Sequence, residues 1–292
     1  MPAIAFRAGF SRARMIRLAD RCNRWVDGWI PAYRRHLAPE FKRQWEEAAD
    51  ALEAGNPPES LLSRWENRLF RLELRLGLPL AVESAKWATK VWFGSEKSAA
   101  GAARGRAAPE IPESIEVVME HDALLARKLR PALEERLRST ITLEASATRK
   151  KIAYWTERLR DSDYTVAQIG RELRKLGILH SKARADLIAR TSTIWNYAEG
   201  TQQAYRDAGL EVGEWLATSD DLTCDFCMEM DGLKFRLGTE LMPAGSRLVV
   251  GEETLNLPLA THHPPLHPNC RCAIIPDVET VLLEEPPVGV EA

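Results

Sequence analysis

The sequence lacks any long uninterrupted apolar run. No stretch approaches the roughly 18 to 20 apolar residues that a membrane-spanning helix requires, so no membrane span is expected. Arg7, Arg12 and Arg14 interrupt the apolar N-terminus, which argues against an export signal. The thiols are therefore expected in a reducing compartment, and this favours metal binding over disulfide bonds.

A strong charge of either sign is also lacking. The formal net charge is −2 over 292 residues, so the chain as a whole has no polyanion-binding signature. The charge is unevenly distributed, because residues 1–45 carry ten basic and three acidic side chains. Residues 277–292 carry five acidic side chains and no basic ones. The acidic tail is typical of a solvated surface, and the basic head is typical of either a solvated surface or a contact with DNA.

Catalytic motifs are lacking as well. The sequence contains no HExxH motif and no paired-carboxylate signature, which argues against a metal-dependent hydrolase. No internal repeat occurs at the periods of solenoid proteins. We therefore expect a protein that is not an enzyme.

Cysteine is scarce, but its placement is informative. Of five cysteines, four fall within 49 residues, in the motifs Cys224-x-x-Cys227 and His267-x-x-Cys270-x-Cys272. A CxxC pair followed about forty residues later by further cysteine and histidine has the spacing of metal ligands. The alternatives are thiols packed without metal and thiols with a redox or catalytic role.

A structural zinc site needs four ligands. Cys224 and Cys227 form the best-defined pair, and the other two ligands come from His267, Cys270 and Cys272, among which the spacing does not decide. The surrounding segment is rich in loops, so bound zinc would act as a folding element where apolar burial is small. Two further histidines, at positions 262 and 263, lie in a proline-rich loop and are less suited as ligands.

Helices are expected through the first two thirds of the chain. Apolar side chains recur there at steps of three and four residues, as in amphipathic helices. Pro31 is expected to kink the first helix or to start a second one. Gly77 and Pro79 are expected to end the next helix, and Pro131 to interrupt a later one.

The following segment has clear helix boundaries in the sequence. Thr165 and Gln168 form a capping box, which predicts a helix start. That helix is expected to stop at Gly177, and Ser181 to cap a second helix that ends at Gly209. Beyond it, short strands are expected over 211–218, 233–237 and 270–275, with loops over 238–269 and a tight turn at Asp231-Gly232.

These elements predict an α+β chain with a mainly helical N-terminal two thirds. A small β-rich C-terminal domain would carry the Cys/His knuckle. Residues 95–112 are rich in alanine, glycine and proline and are interpreted as a linker. The predicted organisation is a helical region over 1–112, a domain over 113–278 and an acidic tail over 279–292.

Several motifs together resemble one family. The helical run from Arg184 to Thr191 is followed by Asn196, by the strand-like 215–218, by the CxxC pair and by the terminal HPNCRC. In this order they are similar to phage Mu F-like minor head proteins, over roughly residues 150–276. Ser192 departs from the family, which often has glutamate there. On sequence alone, Arg184 and Arg190 are expected to be surface charges or members of local ion pairs rather than ligand contacts.

The resemblance implies a phage head morphogenesis protein of a tailed phage or prophage. Such a minor capsid component would act with the portal protein and with capsid or scaffold subunits, in procapsid assembly and in DNA packaging or delivery. It would be located inside the virion head, and in the host cytoplasm during assembly. The alternative is a non-specific DNA-binding protein packaged in the head, which would use the arginine-rich residues 7–43 with Arg271 as a basic edge.

Overall fold

The computed structural model describes residues 12–56, 58–93, 111–112, 114–162, 164–218 and 220–277. Most of these residues are helical. The α-helices are α1 (Arg12–Asp27), α2 (Ile30–Glu53), α3 (Leu62–Ala88), α4 (Ile115–His121), α5 (Ala123–Arg160), α6 (Val166–Asp207) and α7 (Asp225–Glu229). A 3₁₀ turn (Pro58–Leu61) precedes α3 and a π turn (Thr89–Phe93) follows it. None of the described helices is long and apolar enough to cross a membrane.

The strands are short and lie in the last third of the chain. They are β1 (Val212–Leu216), β2 (Lys234–Arg236), β3 (Arg247–Val250), β4 (Glu253–Asn256) and β5 (Ala273–Pro276). β1 is the centre of a three-stranded antiparallel sheet in the order β2-β1-β5. β3 and β4 form a separate hairpin. The predicted α+β class, with a helical first part and a small β-rich end, is confirmed.

The chain forms two compact units. Gly28–Pro79 and Ala108–Thr193 make up one, here called the helical unit. Met1–Asp27, Leu80–Ala107 and Ile194–Ala292 make up the other, here called the knuckle unit. Each unit combines distant segments, which no local sequence pattern indicates. The division predicted at residue 112 stays a prediction. The predicted tail (279–292) lies outside the described residues, and so does the predicted linker (95–112) except for 111 and 112.

Large side chains fill the core of the helical unit. Trp45, Trp65, Ile152 and Leu173 are almost completely buried in one cluster. Trp65 also donates from Nε1 to Oε2 of Glu47, 2.8 Å away, so its polar edge is satisfied. Burial of an aromatic or aliphatic side chain of this size contributes about 1.5–3 kcal/mol, so a few such residues account for much of the stability of a helical bundle.

Pro31 lies in the first turn of a new helix, which is one of the two predicted outcomes. α1 ends at Asp27 and α2 begins at Ile30. The predicted end at Gly77 and Pro79 is wrong, since α3 continues to Ala88. The flanking Leu76, Leu78 and Leu80 are fully buried, and their burial offsets the roughly 3 kcal/mol that an internal proline costs.

The predicted interruption at Pro131 is also wrong. α5 runs through this residue, and the break lies earlier, at Asp122 between α4 and α5. Leu129 and Leu133 on either side of the proline are buried. Apolar packing on both sides of Pro131 therefore outweighs the backbone hydrogen bond that the proline removes.

The capping box is confirmed at the start of α6. The Thr165 backbone N–H donates to Oε1 of Gln168 (2.8 Å), and the Gln168 N–H donates to Oγ1 of Thr165 (3.3 Å). The predicted stop at Gly177 is wrong, because α6 is continuous to Asp207. Ser181 does not cap a helix, since its hydroxyl donates to the carbonyl of Gly177 within α6.

Gly177 has a packing role instead. A Cβ atom at this position would lie 2.6 Å from Cβ of Trp45, a distance that real contacts do not reach. The glycine therefore lets α6 approach the indole of α2 closely. By contrast, the predicted end at Gly209 is confirmed, because this residue has φ +87° directly after the helix.

Strand prediction succeeded for the sheet and failed for the hairpin. β1 and β2 lie inside the predicted strand segments, and Asp231-Gly232 forms the predicted turn, with Leu233 N donating to Met230 O at 3.0 Å. β3 and β4, however, lie in the segment expected to be loop. β5 begins at Ala273, so Cys270 and Cys272 precede the strand.

Candidate metal centre

Three local structures position the cysteines and histidine of the knuckle unit. Cys224 is the N-cap residue of α7, and Cys227 lies inside this short helix. His267 lies in the loop that leads to β5. Cys270 and Cys272 directly precede that strand, so the pairing of β1 with β5 fixes their position.

The structure brings all five predicted ligands together. Sγ of Cys224 lies 3.0 Å from Nε2 of His267, and Sγ of Cys227 lies 3.2 Å from the same nitrogen. The sulfurs of Cys227 and Cys270 are 3.7 Å apart. The five form two overlapping triads that share Cys227, and the ligand atoms of each triad lie within 4.8 Å of one another.

This donor set fits a soft divalent metal. Zinc–sulfur bonds of about 2.3 Å and zinc–nitrogen bonds of about 2.0–2.1 Å place tetrahedral ligand atoms roughly 3.5–3.8 Å apart. The sulfur–sulfur distance of 3.7 Å has this value, and the two sulfur–nitrogen distances are slightly shorter. Cys227, Cys270 and Cys272 are buried, while Cys224 is partly exposed.

The orientation of His267 also suits a ligand. Its Nδ1 faces the carbonyl oxygen of Pro268 at 2.7 Å. A proton on Nδ1 satisfies that carbonyl and leaves the Nε2 lone pair directed at Cys224 and Cys227. A backbone acceptor that fixes the ring in this way is usual behind a metal-binding histidine.

The buried thiols already favour a negative charge at one sulfur. The hydrogen bonds from Cys227 and Cys272 hold the pKa of the Cys270 thiol well below its usual value. The same hydrogen bond to Cys270, with Cys272 and burial adding to it, raises the pKa of Cys227. An anionic sulfur among buried thiols is costly unless a cation or donors compensate it. A metal ion here would supply that compensation.

A second set of contacts supports the segment between Cys270 and Cys272. The carbonyl oxygen of Arg271 accepts hydrogen bonds from Thr218 Oγ1 (2.8 Å) and from Asn23 Nδ2 (3.2 Å). Asn23 belongs to α1, so a helix from the start of the chain supports the knuckle. Sequence reasoning missed Asn23, because no local pattern indicates a contact across 248 positions.

The side chain of Arg271 is not an open basic edge, which corrects the role expected for it. Both terminal nitrogens of its guanidinium bond to the carboxylate of Asp220. This pairing holds the pKa of Asp220 below its usual value. Asp220 also accepts the backbone N–H of Leu222 at 3.0 Å, so its carboxylate holds both the turn that follows it and the Arg271 side chain.

His263 lies apart from the cysteine cluster. It is fully buried, its Nε2 is 3.0 Å from Oε2 of Glu199, and its Nδ1 is 2.6 Å from the carbonyl of Pro264. The Trp195 ring lies against it, with centroids 5.0 Å apart. This residue thus joins the proline-rich loop to α6. Neither it nor the adjacent His262 belongs to a group of metal-binding side chains among the described residues.

The Arg184 side chain, predicted to be a surface charge or a member of a local ion pair, is half-buried in the helical unit. Its Nη2 donates to the main-chain carbonyl of Glu144 at 2.6 Å, and its guanidinium lies over the Phe41 ring, 5.2 Å from the centroid. Arg190 is exposed, as predicted. The two arginines lie six positions apart on one helix, and their side chains therefore face different environments.

With this geometry in place, comparison with known proteins gives one result. Residues 162–275 match the family model of Phage Mu protein F like proteins. The matched segment contains α6, the three-stranded sheet up to Ile275 and all five candidate ligands. The predicted resemblance is thereby confirmed for this part of the chain, and the family points to a role in phage head morphogenesis. No curated protein and no solved structure gave a match.

Proposed function

We propose that the protein is a minor head protein of a tailed phage or prophage. It would act with the portal protein and with capsid or scaffold subunits, in procapsid assembly and in DNA packaging or delivery. The family match over residues 162–275 is the observation that supports this proposal. In this role the protein is a component of the virion interior, assembled in the host cytoplasm.

The proposal includes a structural role for the metal centre and no catalysis. Zinc held by four of Cys224, Cys227, His267, Cys270 and Cys272 would join α7 to the segment before β5. A catalytic zinc generally keeps three protein ligands and an open position. Five potential ligands, three of them buried thiols, favour a closed site instead.

Binding to the assembly partners is the direct test. The full chain would be co-expressed with the portal and capsid proteins encoded beside it, and the complexes isolated over a range of salt concentrations. Co-purification with the portal at moderate salt is expected. Absence of any complex with portal or capsid at every salt concentration would contradict the proposal.

The metal has its own test. Mass spectrometry of the native protein should find about one zinc ion per chain, in keeping with a single closed site. Cys227→Ser should lose it, because Cys227 belongs to both triads. Met228→Ser is the matched control, since Met228 lies beside the ligand on α7 and its side chain is exposed. A well-folded native protein without metal would overturn the structural-zinc proposal.

A second candidate function, non-specific DNA binding, is favoured by one surface. Arg17, Arg21 and Arg24 are exposed and recur at four and three residues, so they lie on one face of α1. Met15 and Leu18 on the other face are buried. A row of exposed arginines on one helix face can neutralise phosphates of duplex DNA without reading its sequence.

Fewer basic side chains are available for phosphate contacts than the sequence indicated, because several of them form ion pairs. Three of the four lysine and arginine side chains of α2 are paired with carboxylates: Lys42 with Glu46 at 3.2 Å, Arg34 with Asp186 at 3.1 Å and Arg43 with Glu40 at 3.8 Å. Arg271 is paired with Asp220. Among the segments first considered, α1 is therefore the better candidate for phosphate contacts.

The test is the salt dependence of duplex binding. Replacing Arg17, Arg21 and Arg24 by glutamine should make the slope of log K against log salt shallower by up to about 2.7, since each lost phosphate contact contributes about 0.9. The control replaces three exposed basic residues of α5, Lys150, Lys151 and Arg158. Equal slopes for the two triple variants would exclude α1 as the DNA-binding surface.

A further inference from the structure

The helical unit contains two buried carboxyl groups that face each other. Glu73 comes from α3 and is 2% exposed, and Glu144 comes from α5 and is 9% exposed. Oε1 of Glu73 and Oε2 of Glu144 are buried and have no hydrogen-bond partner among the described residues, and the two carboxyls are close enough for each to shift the pKa of the other. The Ser192 hydroxyl, from α6, donates to Oε2 of Glu73 at 3.0 Å. Three helices therefore meet at one acidic pair.

Positive charge near the pair only partly compensates it. Arg136 of α5 and Arg184 of α6 are close enough to favour the ionised carboxyls. The direct contacts of Arg184, however, are with the main-chain carbonyl of Glu144 and with the Phe41 ring of α2. Its guanidinium therefore does not form the bidentate ion pair that would stabilise a buried carboxylate.

Two carboxylates in contact in a buried site cannot both ionise without a large cost. Burial, with the charge of Glu73 next in importance, raises the pKa of Glu144 well above its usual value. Burial also raises the pKa of Glu73, although a proton donated by Glu144 and the Ser192 hydroxyl oppose this effect. The arrangement fits a neutral Glu144 that donates to an ionised Glu73.

We propose that Glu73 and Glu144 share one proton in the folded helical unit, and that the loss of this proton loosens the packing of α3, α5 and α6 as the pH rises. The pair is thus a pH-sensitive switch built into the helical unit. It is independent of the metal centre, whose ligands all lie in the knuckle unit. It is also independent of which partners the protein binds.

The direction of the pH effect follows from proton linkage. In the unfolded chain both carboxyls ionise near the usual glutamate pKa of about 4.3. Because the folded pKa values are raised, the folded state binds more protons than the unfolded state above that pH. The free energy of unfolding contributed by the pair therefore falls as the pH rises from the unfolded pKa towards the folded pKa.

The test compares urea unfolding of three proteins between about pH 5 and pH 9. The native chain should lose stability with rising pH. Glu144→Gln should lose less and be the more stable protein at the alkaline end, because the amide can donate to Glu73 without ionising. Glu135→Gln is the matched control, since Glu135 is exposed on the same helix, and it should follow the native curve.

An independent readout is available on the unaltered protein. Infrared spectroscopy at neutral pH should show the carbonyl band of a protonated carboxylic acid, and Glu144→Gln should remove it. Parallel stability curves for the native chain and Glu144→Gln would overturn the proposal. Absence of the protonated-acid band from the native protein would overturn it equally, even if the variant failed to fold.

Discussion

In the helical unit, Trp45, Trp65 and Leu173 are almost wholly removed from water. In the knuckle unit, none of residues 238–256 is buried, and the strands β1, β2 and β5 are three to five residues long. Apolar burial of the kind that stabilises the helical unit is thus scarce in this segment, although Trp92, Tyr205 and Trp215 elsewhere in the knuckle unit are fully buried. A short loop-rich segment of this kind needs another source of stability, and the Cys/His cluster lies where a metal could provide it.

Loss of the proposed metal should give the largest effect. Cys227→Ser removes a side chain shared by both triads and should cost several kcal/mol or more, since metal binding and folding are coupled in such sites. Hydrogen exchange followed by mass spectrometry should show faster exchange in β1, β5 and α7. Peptides of α2 and α5 should keep their protection, and a uniform rise across both units would contradict the comparison.

Trp65→Ala tests how much apolar burial contributes to the stability of the helical unit. The indole is fully buried and bonds to Glu47, so its removal should cost about 3–5 kcal/mol. Urea unfolding measures the loss, and zinc content should stay unchanged. Trp155→Ala is the control, because Trp155 is only partly buried at the edge of the same cluster and should cost less. Release of zinc by Trp65→Ala would contradict the comparison, because it would show that metal binding depends on the core of the helical unit.

A smaller effect is expected from Gly177→Ala. The added methyl group would collide with Trp45, and such overpacking costs about 1–3 kcal/mol. On helix propensity alone, alanine in place of glycine would stabilise α6 by about 1 kcal/mol. The sign of the change in the unfolding midpoint therefore separates packing from propensity, and a stabilised variant would disprove the close contact.

These residues also show what sequence could predict. The helical stripes, the Thr165–Gln168 capping box and the CxxC motif depend on neighbours within a few positions, and the structure has them where they were expected. The ligand set was indicated by spacing, although its closure depends on the pairing of β1 with β5.

Predictions failed where distant packing decides the outcome. Gly177 and Pro79 are weak helix formers, yet α6 and α3 pass through them, because Gly177 packs closely against Trp45 and the leucines that flank Pro79 are buried. Asn23 supports the knuckle and Glu73 meets Glu144, and neither contact has a local signature. Sequence reasoning thus indicated which side chains come together in the candidate site but not the elements that hold them.

The smallest effect should come from Thr165→Ala, which removes one half of the capping box at the start of α6. Loss of an N-cap costs about 0.5–2 kcal/mol. Thr142→Ala is the matched control, because Thr142 is exposed inside α5 and bonds only to the carbonyl one turn earlier. It should be neutral or slightly stabilising, since alanine is the better helix former. Equal unfolding midpoints for the two variants would mean that packing, and not the cap, determines where α6 begins.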